Sequence, residues 1–258
     1  MKVFLSESTI DYGTYTFSYA PYALREGAED LSPIYNQGFL PYSGDLTLEK
    51  ELFYMARSLR VDLERFVDSS ENRRVSRLME PLGVEMELIN KNDFDLNDPD
   101  FRAFCENYVS ERIGDGNMNA ERLEYILASK VGTHIFKFSN KEKTMGYILA
   151  AVGSDMLHYW FAFFDIEYMK SHSLGKWMMW KTIVWAKENG LKNVYLGTAY
   201  KTAALYKIRD HKGLSFWDGQ KWNQDVKLLK ALCKVDTEPK EKDSFKQLED
   251  RNDFLDSL

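Results

Sequence analysis

Two periods of apolar residues divide the chain. Phe101, Phe104, Tyr108 and Ile113 recur at helical spacing over residues 98–113, and a second helical stretch follows over 118–129, with Asp115-Gly116-Asn117 as the link. The pattern then changes. THIFKFS and TMGYILAAVG predict two strands joined by the turn Asn140-Lys141-Glu142-Lys143, and MLHYWFAFFD predicts a third, nearly continuously apolar strand. From Gly175 to Asn189 (GKWMMWKTIVWAKEN) the apolar residues go almost all the way round, which predicts a buried helix stopped by Gly190 as its C-cap. KNVYLG follows as a short buried strand, TAALYKIRDHKG as a helix ending at Gly213, and LSFWDGQKW as a strand or turn.

The N-terminal part is punctuated differently. Pro21, Pro33, Pro41, Gly38 and Gly44 interrupt residues 1–50 and leave short strands, turns and a short helix near Leu31–Gln37. Residues 52–66 could be extended or helical; the alternation of Met55, Arg57, Leu59, Val61 and Leu63 fits a strand. Asp68, Ser69 or Ser70 then caps a helix. From about Asp236 the chain is charged and poor in core residues, so it is expected to be frayed or peripheral. These patterns suggest three divisions: an N-terminal region over 1–80, a larger unit over 81–235 and a charged tail over 236–258.

Composition narrows the function classes. With 258 residues, 44% hydrophobic and 29% charged, the chain can bury a sizeable core. The 14% aromatic content is high and has two readings, a thick aromatic core or an aromatic-lined cleft. No apolar run approaches the roughly 18 residues of a membrane span, and the N-terminus is too short for a secretory signal. Cys105 and Cys233 lie far apart, and the four histidines form no paired motif, so neither a disulfide framework nor a metal site is expected. His134 and His158 lie in apolar strands and read as satisfied core histidines. The expected location is cytoplasmic, with no membrane partner. A net charge of −6 argues against a DNA partner or a general phosphate-held nucleic-acid binder, while leaving room for a local basic patch. Oligomeric state is not legible.

From about residue 133 the order is strand, strand, strand, helix, strand, helix, strand. This resembles the GNAT acyltransferase fold, in which two adjacent strands splay apart and a helix N-terminus beside the gap offers N–H groups to the donor. The expected class is therefore α+β: a GNAT-like mixed sheet flanked by helices, with a smaller N-terminal α/β region. Acyl-CoA enzymes of this fold carry Q/R-x-x-G-x-G/A around a pyrophosphate. Aligned on Gly175, this chain has His172 at the Gln/Arg position and Trp177 at the last Gly/Ala position, where a tryptophan is expected to crowd a pyrophosphate.

A more specific resemblance covers roughly residues 30–80 and 145–222. FFD…SLGKWMMWKTIVWAKENGLKNVYLG…LYKIRDH…W resembles the C-terminal domain of arginyl- and leucyl-tRNA–protein transferases. IYNQGFLPYSG resembles that family's L-x-x-x-G-F-R-R-S-G, and SLRVDLERFVDSSENRRVSR its x-x-R-V-x-x-x-x-F-x-x-S-x-x-Q-R-R. Two departures stand out: the family's N-terminal cysteine pairs are replaced by tyrosine-rich sequence, and Pro41-Tyr42 replaces its two arginines.

The resemblance implies an aminoacyltransferase, arginyl in the first instance. It would need no cofactor beyond aminoacyl-tRNA as co-substrate and would act on the amine of a protein or peptide N-terminus. The alternatives are an N-acetyltransferase using acetyl-CoA and a non-catalytic relative that binds tRNA or peptide ends. Peptide-bond formation from an activated ester needs the amine positioned, a proton removed and an oxyanion stabilised. Asp165 is a candidate base or a strand-end turn residue, and Tyr206 is a candidate general acid or a ring filling the gap between helix and sheet. Lys207 beside it could meet a phosphate. Ser173, Leu174 and Gly175 could face the oxyanion or the terminal adenosine, or simply cap and pack the helix. Tyr42, Ser43, Gly44 and Gly197 complete the implied substrate site. Six arginines stand between positions 57 and 77, but four acidic residues among them leave the segment at about +2. Arg57, Arg60, Arg73, Arg74 and Arg77 are the candidate tRNA contacts, or a solvated face with internal ion pairs.

Overall fold

Hydrogen bonding sorts the strands of this chain into two sheets. The computed structural model describes residues 1–13, 16–114 and 118–237; the link Asp115-Gly116-Asn117 and the tail from 238 lie outside the described residues. In chain order the elements are β1 (Lys2–Asp11), β2 (Thr16–Leu24), α1 (Leu31–Asn36), β3 (Phe39–Pro41), β4 (Leu52–Met55), β5 (Ser58–Asp62), α2 (Ser70–Met79) and β6 (Glu85–Asn90). Then come α3 (Pro99–Tyr108), α4 (Ala120–Ala128), β7 (His134–Ser139), β8 (Thr144–Val152), β9 (Met156–Phe164), α5 (Glu167–Ser171), α6 (Leu174–Glu188), β10 (Asn193–Thr198), β11 (Leu214–Trp217), β12 (Trp222–Asn223) and α7 (Val226–Val235).

The smaller sheet has the order β1-β2-β4-β3, and the larger one β12-β11-β5-β10-β9-β8-β7-β6. All neighbours are antiparallel except β9 and β10, whose parallel pairing is bridged by α5 and α6. The extended reading of residues 52–66 holds, with a division: β4 joins the small sheet, whereas β5 lies between β10 and β11 in the large one. The segment 1–80 therefore contributes strands to both sheets.

The apolar runs of the sequence become two-sided burial. On β8, Ile148 and Ala150 face the core under α6, while Tyr147 and Leu149 face α3 and α4. This explains why β8 reads as an almost unbroken apolar run. α6 buries Leu174, Trp177, Met178, Met179, Thr182, Ile183 and Ala186, and it ends at Asn189 with Gly190 in the left-handed region at φ 74°. Ser69 caps α2 by accepting from the Asn72 N–H.

Two elements differ from the sequence expectation. TAALYKIRDHKG is a 3₁₀ turn over Thr202–Lys207 rather than a helix running to Gly213. Tertiary bonds draw the rest away: the Asp210 carbonyl accepts from Asn72 Nδ2 at 3.2 Å, its carboxylate meets Lys176 at 2.6 Å, and His211 is buried. The expectation of a frayed segment from Asp236 also fails at its first residue. Asp236 is buried, and its carboxylate accepts from Arg57 Nη1 at 2.6 Å. Asp236→Ala removes the carboxylate from a largely buried guanidinium that keeps its bond to the Ala199 carbonyl and its place over the Tyr200 ring, and we expect a loss of about 2 kcal/mol in urea unfolding. An unchanged midpoint would show that the pair adds nothing.

Candidate functional site

β9 and β10 are paired in register only at Met156–Asn193, Leu157–Val194 and His158–Tyr195. Beyond Tyr195, β10 bulges against β5 before Thr198, and Gly197 takes φ 76° there. The two strands separate, and a cleft of about 680 Å³ opens between them. One wall is Tyr159 to Ala162 of β9, and the other is Leu196, Gly197 and Thr198. The start of α6 closes one end with Ser173, Gly175 and Lys176, and Tyr108, Arg112 and Arg122 reach in from the α3 and α4 side. Pro41, Ser43 and Tyr54 bring the small sheet to the rim.

Small residues shape this cleft. A Cβ on Gly175 would stand 2.5 Å from the Phe164 ring, so any larger residue there has to push that ring aside. Ser173 precedes the helix with φ 53° and makes no side-chain cap bond, so capping by its hydroxyl does not explain it. The first-turn amides of α6 have no acceptor within the helix, as at any helix start. Leu174 itself is wholly buried in the core.

Lys207 enters from the 3₁₀ turn, and its ammonium donates to the Thr198 carbonyl at 3.2 Å. Burial pushes its pKa down to about 8. Half of Tyr206 remains exposed; the enclosure of its hydroxyl end pushes the phenol up, against the opposing charge of Arg112. Lys176 is held by Glu71 at 3.0 Å and Asp210 at 2.6 Å. Arg74 and then Lys176 hold the Glu71 carboxyl down at about 2. Arg122 donates to Ser43 Oγ at 3.0 Å. Among the described residues the lining thus carries Arg112, Arg122, Lys176 and Lys207 and no carboxylate.

Of the residues singled out in the sequence, Ser43, Ser173, Gly175, Gly197, Tyr206 and Lys207 meet at this cleft. Tyr42 stands one step behind it, its ring 6.1 Å from that of Tyr54, and Gly44 packs beneath Tyr42. Asp165 is not brought in. Its carboxylate accepts from Lys143 at 2.6 Å and from the Glu167 N–H at 3.0 Å in a separate hollow, which is the geometry of a strand-end turn residue. None of the five candidate tRNA arginines lines the cleft. Arg57 is paired with Asp236, and Arg60 stacks on Trp222 at 4.2 Å. Arg73 donates to the Asp68 carbonyl and Arg74 to Glu71, while Arg77 lies in the last turn of α2.

Trp177 is also placed differently from expectation. It is buried and meets Phe138 at 5.7 Å, so it packs into the core and does not crowd the loop before α6. Sequence reasoning missed Arg112, Arg122, Tyr54, Tyr108 and Trp160, because helical and strand periodicity does not distinguish a residue facing a cleft from one facing water. His158 is only half satisfied: Nδ1 lies 2.8 Å from the Tyr35 hydroxyl, while Nε2 is buried without a partner. His134 is half-buried, with Nδ1 2.8 Å from Thr133 Oγ1. No helix among the described residues is long and apolar enough to cross a membrane.

Residues 95–207, less than half of the chain, match the acetyltransferase (GNAT) domain family. An aspartate/glutamate leucyltransferase of Stenotrophomonas maltophilia (strain R551-3) is 23% identical over 202 residues, which cover 70% of this chain and 74% of the relative. Among solved structures, L-PGS from Bacillus licheniformis aligns with a TM-score of 0.44 at 12% identity, covering 82% of this chain and 72% of that one. The C-terminal domain of a candidate lysylphosphatidylglycerol synthetase from Agrobacterium fabrum aligns with a TM-score of 0.43 at 12% identity. That alignment covers 69% of this chain and 54% of the other, so the chain spans about half the length of that structure. The fold is GNAT-like, a mixed sheet flanked by helices, and the chain is a distant relative of an aminoacyltransferase.

Proposed function

We propose that this chain transfers an aminoacyl group from tRNA to the α-amine of a protein or peptide. The observation that carries the reading is the cleft between the splayed strands, with a lysine of depressed basicity beside a tyrosine, and with Arg112 and Arg122 but no carboxylate on the described lining. In this reading the acceptor amine attacks the ester carbonyl and a C–N bond forms. The bond from that carbon to the ribose oxygen breaks. Lys207, partly neutral near pH 8, takes the proton lost by the amine, and the Tyr206 hydroxyl, kept protonated, supplies one to the departing oxygen. Deprotonating Lys207 activates the base, so kcat should rise with pH and level off above about 8.

The sequence resemblance points first to arginine as the transferred residue. The cleft favours a different choice: an arginyl side chain would meet Arg112, Arg122 and Lys207 with no carboxylate on the described lining to pair with, Lys176 being already held by Glu71 and Asp210. An apolar aminoacyl group, such as the leucyl group in the relative's name, avoids that repulsion. The same cations suit an acceptor that begins with an acidic residue. Arg122 is the candidate for its carboxylate, because it already donates to Ser43 at the rim. The match to the acetyltransferase family keeps acetyl-CoA as the second donor to try.

The test supplies labelled amino acids on total tRNA, or labelled acetyl-CoA, together with peptides of varied N-termini. RNase and base then remove all label that is not peptide-linked. Leucine on peptides beginning with Asp or Glu is the expected product. Arg122→Gln should raise KM for those peptides about tenfold and leave kcat nearly unchanged. Label from acetyl-CoA alone would overturn the proposal.

A further inference from the structure

His158 lines the cleft with a ring that is 1% exposed and whose Nε2 has no hydrogen-bond partner among the described residues. It sits at the last paired position before β9 and β10 diverge, opposite Tyr195. Tyr35 packs on it from α1, ring to ring at 5.0 Å, and Trp160 stands beyond at 6.3 Å.

Hydrogen-bond accounting settles which way the imidazole is arranged. The Tyr35 hydroxyl is wholly buried and lies 2.8 Å from His158 Nδ1. If Nδ1 carried the hydrogen, the imidazole would donate to the phenol and the phenol's own hydrogen would be left without an acceptor. If Nδ1 is the acceptor, the phenol and Nδ1 are both satisfied, the ring proton moves to Nε2, and one group instead of two is left without a partner. The imidazole stays neutral, because burial, with the nearby Lys207 charge, pushes its pKa down to about 3. Tyr35 stays protonated, since burial raises its pKa. The Nε2–H of this cleft-lining residue is thus left with no protein acceptor. A buried donor left in that condition is costly, and such groups are retained where a ligand completes them.

We propose that His158 is a catalytic residue of this cleft: held in the Nε2–H form by Tyr35, it donates to the ester carbonyl oxygen and stabilises the oxyanion that forms as the amine attacks. The inference rests on the aminoacyl-transfer reading given above. His158 gives up no proton in the step. The charge that develops on the carbonyl oxygen is met by the imidazole N–H and returns to the carbonyl as the ribose oxygen leaves. Tyr35 touches no reacting atom and is a positioning residue.

Two experiments test it on the full chain. In nitrogen–proton correlation spectra of the imidazoles, His158 should be a single neutral species protonated at Nε2 from pH 5 to 8. A resonance protonated at Nδ1, or one titrating near pH 6.5, would sink the idea whatever the enzyme's substrate. The second experiment compares two substitutions by rate. The amide of His158→Gln reaches the position of Nε2, whereas that of His158→Asn reaches only Nδ1 and keeps the Tyr35 bond. We expect Gln to retain kcat within about tenfold and Asn to lose about 10²–10³, with KM little moved in either. Tyr35→Phe should lower kcat without raising KM and give a mixture of both imidazole forms. If Asn matches or exceeds Gln, the histidine only packs and the proposal falls while aminoacyl transfer stands. If the wild type transfers no aminoacyl group at all, the reading beneath it falls as well.

Discussion

Lys207→Met is expected to remove transfer activity and at the same time to raise thermal stability. Loss of a general base lowers kcat by about 10²–10⁴. The stability gain follows from the same burial that tunes the amine. Folding lowers the pKa of Lys207 from 10.5 to about 8, which at about 1.4 kcal/mol per unit means that the charged form opposes folding by about 3 kcal/mol. Below pH 8 the lysine is protonated in both states, and the full cost is present. Between about 8 and 10.5 the folded state sheds the proton first, so wild-type stability should rise through that window. Methionine keeps the stem and carries no charge. The variant should therefore melt several degrees higher at pH 7, with the difference closing by about pH 10.5. Thermal melts at both pH values check this, and a variant less stable than wild type at pH 7 would show that Lys207 is not desolvated.

Gly38→Ala is expected to cost about 3 kcal/mol or more. Gly38 joins α1 to β3 with φ 80°, where an L-residue is strained. Its added Cβ would also stand 2.3 Å from the Trp217 indole, inside the ring's van der Waals surface. That contact joins the small sheet to β11 of the large one, and Ser58 Oγ donates to the Gly38 carbonyl at 2.6 Å in the same joint. A double variant with Trp217→Leu should recover the steric part and leave the backbone strain. Urea midpoints of the two single variants and the double variant separate the two. A loss below about 1 kcal/mol for Gly38→Ala would mean that the indole swings away freely.

Most elements were legible because their cause is local. The apolar run of MLHYWFAFFD, the all-round apolar helix after Gly175 and the left-handed glycine at 190 each follow from side chains within a few positions. β6 and α7 were not anticipated, and the 3₁₀ turn over Thr202–Lys207 was anticipated as a helix. That turn departs from its local pattern because Asp210 and His211 are claimed by Asn72, Lys176 and the core, which are distant in sequence.

The site divides in the same way. Ser173, Gly175, Gly197 and the Tyr206–Lys207 pair came from the family and fold resemblance, which local motifs carry, and all of them line the cleft. Asp165 looked equally suited to catalysis in the sequence, and only its pairing with Lys143 across the β8–β9 edge assigns it to the turn. Arg122, Tyr54 and His158 acquire their place from three separate segments that converge where β9 and β10 part. By itself the sequence determined most of the elements and the acyltransferase-like order, since periodicity and turn chemistry are local properties of the chain. The tertiary structure alone decided which charges face the cleft, which are neutralised elsewhere and that Nε2 of His158 is left without a partner among the described residues, because those depend on burial and on partners more than a hundred residues away.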